Sequence, residues 1–535
     1  MPSTCPLCIY HLEHLNNHKE ETYASPGASR CQHSHLQPCN LCCRFAEGEQ
    51  RIQDAKATLF RALDDQRELG SELNERNDLL LGKLPVELAC RIFQLSVPPT
   101  LTLAEFREQL TVNSKLNFTS PKGLLTLGAI CRSWRRVAWS YPELWRDIFI
   151  RSTPKKMPPS YITFIEEWIR RSGELPLNIF TEFRDQFTEN TSLINILIHT
   201  LGSVAHRWAL FYAFSPLPPV YGEELALHFR RAPNLQGLAL STENRWVSDV
   251  WDISDVGGGD NLEFLFISGY QLQGASLKCR NLRHFVAECR TIEECVEILR
   301  NAPQVLNCTI RSAFDGDHPT SLVHSVKSFH LYGSPDILQY LVLPSLTELV
   351  LSDLIERESF PATILPFIVR SGCQLEAFTS ARQTDVINDY SELFRLNPSL
   401  KHLELQPHYD CEWAFSRLGE LLSPHVNSSD QILPNLQSLT YVWSECPSHI
   451  PWQAINAILQ TTASQLNVVG RPLTEIHFIM ERMPKETEYL HPDDLERIQE
   501  FASRGINIRI SAKELAIDVI KACKDYQRKL PNGGV

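Results

Sequence analysis

Several features that mark secreted, membrane or nucleic-acid-binding proteins are missing from this sequence. It has no run of eighteen or more apolar residues, and its first residues lack a charged segment followed by an apolar one. We therefore expect a chain that is neither secreted nor membrane-spanning, located in the cytoplasm or the nucleus. It has no excess of positive charge, since 51 Lys and Arg face 63 Asp and Glu. That balance argues against nucleic acid or an anionic membrane as a partner.

The common motifs of catalysis are also missing. The sequence contains no GxxxxGK[ST] loop, no GxGxxG after a strand, no GxSxG and no HExxH. Histidines and acidic residues of the C-terminal region fall on different predicted strands, which is more typical of solvated side chains than of an acid–base pair. The sequence therefore predicts a protein that is not an enzyme and has no cofactor, apart from a candidate zinc site near the N-terminus.

Cysteine is concentrated at the N-terminus, where residues 1–46 hold six of the sixteen cysteines. The other ten stand singly, mostly in apolar contexts, which is typical of reduced, buried thiols. Two C-x2-C pairs in residues 1–46 have the spacing of a four-thiolate zinc site, with Cys5, Cys8, Cys39 and Cys42 as the ligands. The alternative is a tail of unliganded thiols. A complete RING is not predicted, because the last cysteine pair of that pattern is missing.

A charged, proline-free segment follows at residues 47–78. Its apolar side chains recur at steps of three and four, with two polar interruptions, which predicts an amphipathic helix or a short coiled coil. The positions are Ile52, Ala55, Leu59, Ala62, Leu69, Leu73 and Leu80. Two interpretations stay open: a dimer formed through residues 47–80, and a single helix that folds back onto the next module.

Residues 79–150 form the most clearly patterned part of the chain, with an insertion at residues 97–122. Leu84 and Pro85 begin a short helix that has apolar residues on one face, and Pro98-Pro99 ends it. The second helix carries a stripe at Leu124, Leu127, Ile130, Cys131 and Trp134, and Pro142, Leu144 and Trp145 follow it. A unit this small buries little apolar surface alone, which leaves surface for a partner.

The order LPVEL, RIF, LGAICRSWRRVA and PELW resembles an F-box, and the insertion is similar to that of the fungal form. The resemblance implies docking onto the Skp-type adaptor of cullin-based ubiquitin ligases, with Leu144 and Trp145 closing the module. It implies a core and an adaptor-facing surface made of Leu84, Pro85, Leu88, Ile92, Phe93, Leu127, Cys131 and Trp134. The alternative is an ordinary helical pair packed within a larger domain.

An apolar triplet at i, i+3 and i+5 recurs through residues 160–512 and alternates with helical patterns. Eight full copies start at Leu235, Leu262, Val305, Val326, Leu346, Leu400, Leu436 and Leu473. This pattern predicts an α/β fold, an irregular leucine-rich-repeat solenoid with a parallel sheet on its concave face. A proline-rich hinge at residues 152–160 would precede it, and a capping helix and tail at residues 513–535 would follow it. The alternative is a non-repetitive α/β domain.

Residues between the triplet positions are predicted to line the concave wall, because side chains alternate along a strand. The candidate partner-binding residues are Phe264, Phe266, His284, His330, Glu348, His402 and Glu404. Phe264 and Phe266 are the predicted exposed anchors for a partner protein. The alternative is that the preceding GGGD-containing loop covers both rings.

Together these patterns favour a substrate-recognition subunit of an SCF-type cullin ubiquitin ligase, in which partner subunits transfer ubiquitin. The F-box would bind the Skp-type adaptor and the repeats would bind a target protein that the sequence does not identify. A leucine-rich-repeat scaffold with no ubiquitin role is one alternative. A zinc-dependent ligase acting through residues 5–42 is another.

Overall fold

The computed structural model divides into two compact units, residues 1–237 and residues 238–535. None of the described helices combines the length and hydropathy of a membrane span. The described residues are 40–78, 81–113, 116, 122–152, 158, 160–183, 191–214, 219–242, 250–251, 261–269, 271–272, 279–288, 290–311, 319–352, 360–383, 387–407, 411–422, 432–443, 458, 472–480, 492–503, 505–512, 517–518 and 520.

The first unit begins with helices. These are α1 (Asn40–Arg76), α2 (Val86–Ser96), α3 (Leu103–Asn113), α4 (Lys122–Ile130) and α5 (Arg132–Ser140), followed by a 3-10 turn at Pro142–Trp145. Cys131 has an extended backbone and separates α4 from α5, and its Sγ accepts a hydrogen bond from the Trp134 backbone N–H at 3.5 Å. The single long helix predicted from the apolar stripe is therefore two helices with a cysteine cap between them.

The insertion at residues 97–122 is more ordered than its polar sequence predicts, because it contains α3. The backbone N–H of Thr102 donates to Glu105 at 2.9 Å, and the backbone N–H of Glu105 donates to the Thr102 hydroxyl at 3.3 Å. This reciprocal pair starts the helix. Phe106 and Leu110 on α3 are fully buried, so the insertion contributes to the core of the first unit.

Three parallel strands and three helices complete the first unit. In chain order they are β1 (Asp147–Ser152), α6 (Ser160–Arg171), β2 (Leu177–Phe183), α7 (Thr191–Gly202), β3 (Trp208–Phe214) and α8 (Pro219–Phe229). β2 pairs with both neighbours in parallel, with Ile179 opposite Ile148 on β1 and Phe211 on β3. Gly173 ends α6 with a φ of 57°, a conformation that glycine adopts without strain.

Most of the predicted hinge at residues 152–160 lies outside the described residues, so this domain boundary stays a prediction. β1 follows the 3-10 turn directly and pairs with β2 along its whole length. Trp168 on α6 packs its ring edge-on against Trp145, with centroids 5.0 Å apart, and donates its indole N–H to the Trp145 carbonyl at 3.0 Å. Both tryptophans are buried, so the helical module and the first strands share one core.

The second unit contains a sheet with eleven parallel strands and one antiparallel strand among its described residues. In chain order the strands of this unit are β4 (Gly237–Ser241), β5 (Val250–Trp251), β6 (Phe264–Ser268), β7 (Gln271–Leu272), β8 (His284–Glu288), β9 (Asn307–Arg311), β10 (Leu322–Val323), β11 (Ser328–Tyr332), β12 (Leu341–Val342), β13 (Glu348–Ser352), β14 (Ala377–Gln383), β15 (His402–Pro407), β16 (Ser438–Trp443), β17 (Glu475–Met480), β18 (Asn507–Ala512) and β19 (Ile517–Asp518). β5 pairs only with β7 and β10 only with β12, outside the main sheet.

Helices connect many of these strands. They are α9 (Ile292–Asn301), α10 (Leu365–Ser371), α11 (Ile387–Leu396), α12 (Cys411–Leu422) and α13 (Pro492–Ser503), with a 3-10 turn at Asp336–Tyr340 and a π turn at Phe360–Ile364. Thr291 and Glu294 form a capping box that starts α9. Gly372 ends α10 with a φ of 59°.

The apolar triplets predicted the strand positions correctly. In all eight full copies the second and third residues lie inside a strand. Equivalent members pair in register, as Phe329 on β11 does with Leu349 on β13. Every member of the full triplets is buried, because these side chains fill the core between the sheet and its connecting segments.

The C-terminal prediction is only partly covered by the described residues. Where the sequence predicts a capping helix, Ile517–Asp518 forms β19, which pairs antiparallel with β18. The helix prediction is wrong at these two positions, where β-branched Ile517 extends the sheet edge. Most of residues 513–535 lie outside the described part of the chain.

Candidate adaptor-docking and partner-binding surfaces

Helix α2 has one buried and one exposed apolar face. Ala89 and Phe93 are fully buried, and their spacing of four residues places them on the same side. Leu88 and Ile92 on the other side are 52% and 39% exposed, and Leu95 is 72% exposed. We call Leu88, Ile92 and Leu95 the docking stripe.

The eight residues implied by the F-box resemblance divide into core and surface. Phe93, Leu127 and Cys131 are buried, Leu84 and Trp134 are half-buried, and Pro85, Leu88 and Ile92 are exposed. The prediction missed two exposed residues of the same helix, Val86 and Leu95. The spacing of Leu95 from Leu88 and Ile92 is the signal that would have identified it.

Trp134 on α5 supports α2 from behind. Its ring lies 4.8 Å from the ring of Phe93, centroid to centroid. Its indole N–H donates to an Asp78 carboxylate oxygen at 2.8 Å, and the other oxygen of Asp78 accepts from the Leu81 backbone N–H at 3.0 Å. Asp78 lies in the link between α1 and α2, so these contacts fix the start of the docking helix.

The C-terminal end of α1 lies against α5 through polar contacts. Glu68 pairs with Arg132 at 2.5 Å, and Glu75 accepts a hydrogen bond from the Ser133 hydroxyl at 2.7 Å. Asn74 donates to the carbonyl of Ile130 at 2.8 Å. The C-terminal part of α1 therefore folds back onto the next module, as one alternative predicted. The contacts come from its polar residues and not from its apolar side.

The apolar side of α1 is exposed. Phe45, Ile52, Leu59 and Leu73 recur at multiples of seven residues, with polar Gln66 between them, and each of the four is 55–60% exposed. Leu69, at the companion heptad position, is 61% exposed. The dimer predicted through residues 47–80 stays a prediction, and Leu80 lies outside the described residues.

A cleft of about 580 Å³ opens beside the docking stripe in the first unit. The end of α2, the start of the insertion and β1 contribute to its walls, among them Leu95, Pro98, Leu124 and Asp147. Burial raises the pKa of Asp147 to about 6, although a hydrogen bond from Asn178 at 2.8 Å opposes that rise. The cleft thus combines apolar residues with charged ones, which include Glu105 and Glu143 as well as Asp147.

In the second unit, the predicted wall residues share one face of the sheet. The strand register aligns the first residues of successive strands. His284 lies opposite Asn307, Asn307 opposite Ser328, and Ser328 opposite Glu348. The register also aligns the third residues, which include His330 and Glu404. We call this face, made of the first, third and fifth residues of the main-sheet strands from β6 to β18, the wall face.

Phe264 and Phe266 lie on the wall face but have no exposed surface. The prediction that they are exposed anchors is wrong, because strand alternation fixes the face of a side chain and not what covers that face. Both rings are covered, and the GGGD-containing loop of the alternative, residues 257–260, lies outside the described residues. We therefore assign them no contact with a partner.

Several accessible wall residues are polar and form short hydrogen bonds along the face. His284 Nδ1 lies 2.8 Å from Asn307 Nδ2, and His402 Nδ1 lies 2.9 Å from the Ser438 hydroxyl. His330 Nε2 lies 3.1 Å from the Ser328 hydroxyl and 3.9 Å from a Glu348 oxygen. Burial lowers the pKa of His330, and neighbouring Glu348 opposes that shift. This surface suits polar contacts better than the insertion of an aromatic anchor.

The predicted zinc ligands cannot be placed. Cys5, Cys8 and Cys39 lie outside the described residues, and the side chain of Cys42, in the first turn of α1, is not described either. Zinc binding by these residues stays a prediction.

Comparison with known proteins adds one match. Residues 81–151 match the family model described as F-box-like. The match begins just before α2 and ends within β1, so it contains the docking stripe, the α3 insertion and Trp145. No curated protein matches the chain. An F-box-like domain is typical of non-catalytic adaptors in SCF-type ubiquitin ligases, and it is the part of this chain for which such a role is indicated.

Proposed function

We propose that this chain is the substrate-recognition subunit of an SCF-type cullin ubiquitin ligase in the cytoplasm or nucleus. The F-box-like domain binds a Skp-type adaptor, the second unit binds a target protein, and partner subunits transfer ubiquitin. In this role the chain accelerates transfer by holding the target close to the charged enzyme. The insertion between α2 and α4 supports a domain of the fungal type.

The docking stripe is the observation that carries the proposal. A helix whose inner face is closed by Phe93 and Trp134 has no structural need for three exposed apolar side chains at helical spacing on its outer face. The stripe stands on a rigid core, so little entropy is lost when a partner covers it. An apolar, helix-lined partner groove fits this surface.

For the second unit we propose a leucine-rich-repeat-type array that presents its wall face to the target. The buried triplets and the aligned parallel strands support this interpretation. Around His330, Glu348 and His402 the face offers half-buried or exposed polar side chains. A target with complementary hydrogen-bonding groups is the partner that such a face selects.

We also propose that α1 mediates a dimer through its exposed heptad residues. Four apolar side chains at a period of seven are the pattern of a two-stranded coiled coil. The polar contacts with α4 and α5 involve Glu68, Asn74 and Glu75, which leaves Ile52 and Leu59 available to a second copy. A dimer of this kind would present two target-binding surfaces to one ligase.

The test is binding of the full-length chain to a purified Skp-type adaptor. The double variant Leu88→Asp/Ile92→Asp places two charges in the docking stripe and should weaken adaptor binding at least tenfold, because a charge buried at an apolar interface lacks a partner. Val112→Asp on α3 is the matched control, since Val112 is an exposed apolar residue (69%) of the same domain. It should bind the adaptor like the wild type.

A leucine-rich-repeat scaffold without a ubiquitin role remains the second candidate. The pairing of β1 with β2 favours it, because it makes the helical module a cap on the first strands. In that case the wild-type chain would not bind the adaptor at all. Equal adaptor affinity of the double variant and the control would also reject the proposed docking surface.

A further inference from the structure

Two histidines and one glutamate meet on α7 and α8, helices of the first unit to which no role has been given above. His199 lies in the last turn of α7, and Glu224 and His228 lie one helical turn apart on α8. His199 Nε2 is 2.8 Å from a Glu224 carboxylate oxygen. One ligand atom from each of the three residues lies within 4.8 Å of those from the others.

His228 is the unusual member of this cluster. It is 9% exposed, and neither of its ring nitrogens has a hydrogen-bond partner among the described residues. Buried polar atoms nearly always have a partner, and an exception in a native fold commonly marks a bound water or ion. The apolar ring of Trp208, 6.3 Å away, offers no acceptor to this imidazole.

The backbone around His228 makes room for the imidazole. A Cβ atom at Gly202 would lie 2.2–2.4 Å from three atoms of the ring, closer than non-bonded atoms approach. Gly202 is the last residue of α7, three residues after His199. Glycine at this position therefore lets α7 approach α8 closely enough for His199 and His228 to face the same space.

We propose that His199, Glu224 and His228 form a binding site for a divalent transition metal of the zinc class. A set of two imidazoles and one carboxylate binds zinc, cobalt and nickel in preference to magnesium or calcium. Three protein ligands leave one coordination position for water. The metal would join the last turn of α7 to α8 and so stabilise the first unit.

The distances fit such an ion after a small closure. Zinc ligands at about 2.0–2.1 Å from the metal lie about 3.3 Å from one another in a tetrahedral site. His199 can make the necessary adjustment, because its side chain is 70% exposed and is not held by packing. Its exposure also gives the ion a path from solvent to the buried His228.

The test uses the full-length chain, stripped of metal with a chelator and titrated with ZnCl2 in a calorimeter. Because the N-terminal cysteines are a separate candidate site, the chain carries the substitutions Cys5→Ser, Cys8→Ser, Cys39→Ser and Cys42→Ser. This cysteine-substituted chain should still bind about one zinc ion. Its melting temperature should rise with zinc concentration, as expected for a ligand that binds only the folded state.

Variants of the cysteine-substituted chain then identify the ligands. His199→Ala and Glu224→Gln should each weaken zinc binding at least tenfold and remove the zinc-dependent rise in melting temperature. His199 is exposed, so its variant should melt like the parent chain without metal. His206→Ala is the matched control, because His206 is an exposed histidine close to α7, and it should bind zinc like the parent.

Cobalt provides an independent readout in the cysteine-substituted chain. CoCl2 bound to imidazole and carboxylate gives visible absorption without the strong near-ultraviolet bands of cobalt thiolates, and this visible absorption should disappear in His199→Ala. The proposal is overturned if the cysteine-substituted chain binds no zinc at micromolar concentrations. It is equally overturned if both ligand variants bind zinc as tightly as their parent, since His199 and Glu224 would then form only an ion pair.

Discussion

The indole N–H of Trp134 donates a hydrogen bond of 2.8 Å to the carboxylate of Asp78, fifty-six residues earlier in the chain. The same carboxylate accepts the backbone N–H of Leu81. One aspartate therefore connects the end of α1, the start of the F-box-like domain and the helix behind the docking stripe. The contact gives a first prediction about stability.

Replacing Asp78 by Ala should destabilise the first unit by about 1–3 kcal/mol, because the variant leaves two donors without an acceptor. Thermal melting followed by tryptophan fluorescence measures the change. Asp65→Ala on the exposed part of α1 is the control and should shift the melting temperature little. Equal melting of the two variants would show that the Asp78 contacts contribute nothing to the fold.

The pH dependence of stability should report on Asp147. Burial raises the pKa of this carboxyl from 3.8 to about 6 in the folded chain, so the folded state binds the proton more tightly than the unfolded state. The resulting stabilisation is complete below about pH 4 and is lost as the pH rises through about 6. The chain therefore loses stability in this window through Asp147.

Asp147→Asn should remove this loss, because the amide stays neutral at every pH. The stability of the wild type relative to the variant should fall by about 1–3 kcal/mol between pH 4 and pH 7. Urea unfolding at four pH values in that range measures the difference. A constant difference across the range would mean that Asp147 titrates alike in both states.

Self-association through α1 should depend on its heptad residues. Leu59→Glu introduces a charge at the centre of the exposed stripe and should convert a dimer into a monomer in light scattering coupled to gel filtration. Lys56→Glu, an equally exposed change off the stripe, is the control and should leave the dimer intact. A wild-type chain that is monomeric at all accessible concentrations would contradict the dimer itself.

Buried thiols in the second unit should resist alkylation. Burial raises the pKa of Cys279 and Cys295 to about 12 and that of Cys373 to about 11. Iodoacetamide reacts with the thiolate, so at pH 8 these cysteines should stay unmodified in the folded chain and react fully in urea. Peptide mass spectrometry reads both states, and rapid labelling of Cys295 in the folded chain would contradict its burial.

Local pattern was enough to predict the strands. A triplet such as Leu346, Leu349 and Leu351 contains both the strand period and the residue that enters the core before it, so the positions of eight strands could be read from the spacing of apolar residues. Helix α2 was equally predictable, because Leu88 and Ile92 follow Pro85 at helical spacing. Both are properties of neighbouring residues.

Features that depend on distant residues were not predictable in this way. The burial of Phe264 and Phe266 depends on what covers the sheet. The shared core of the helical module and the first strands depends on the contact between Trp168 and Trp145. The cluster on α7 and α8 has one local signal, the four-residue spacing of Glu224 and His228. That spacing is common on helices. The sequence does not indicate that His199 of α7 lies close to these two residues and completes the group of three.

The pairing of β1 with β2 has a practical consequence for cutting the chain. A fragment that ends at residue 151, where the F-box-like match ends, would leave the edge of β1 unpaired from Asp147 to Arg151 and uncover the ring of Trp145. Exposed strand edges and large aromatic surfaces promote aggregation. A soluble fragment for adaptor binding should therefore extend beyond β2, so that Trp168 and the strand that pairs with β1 are both included.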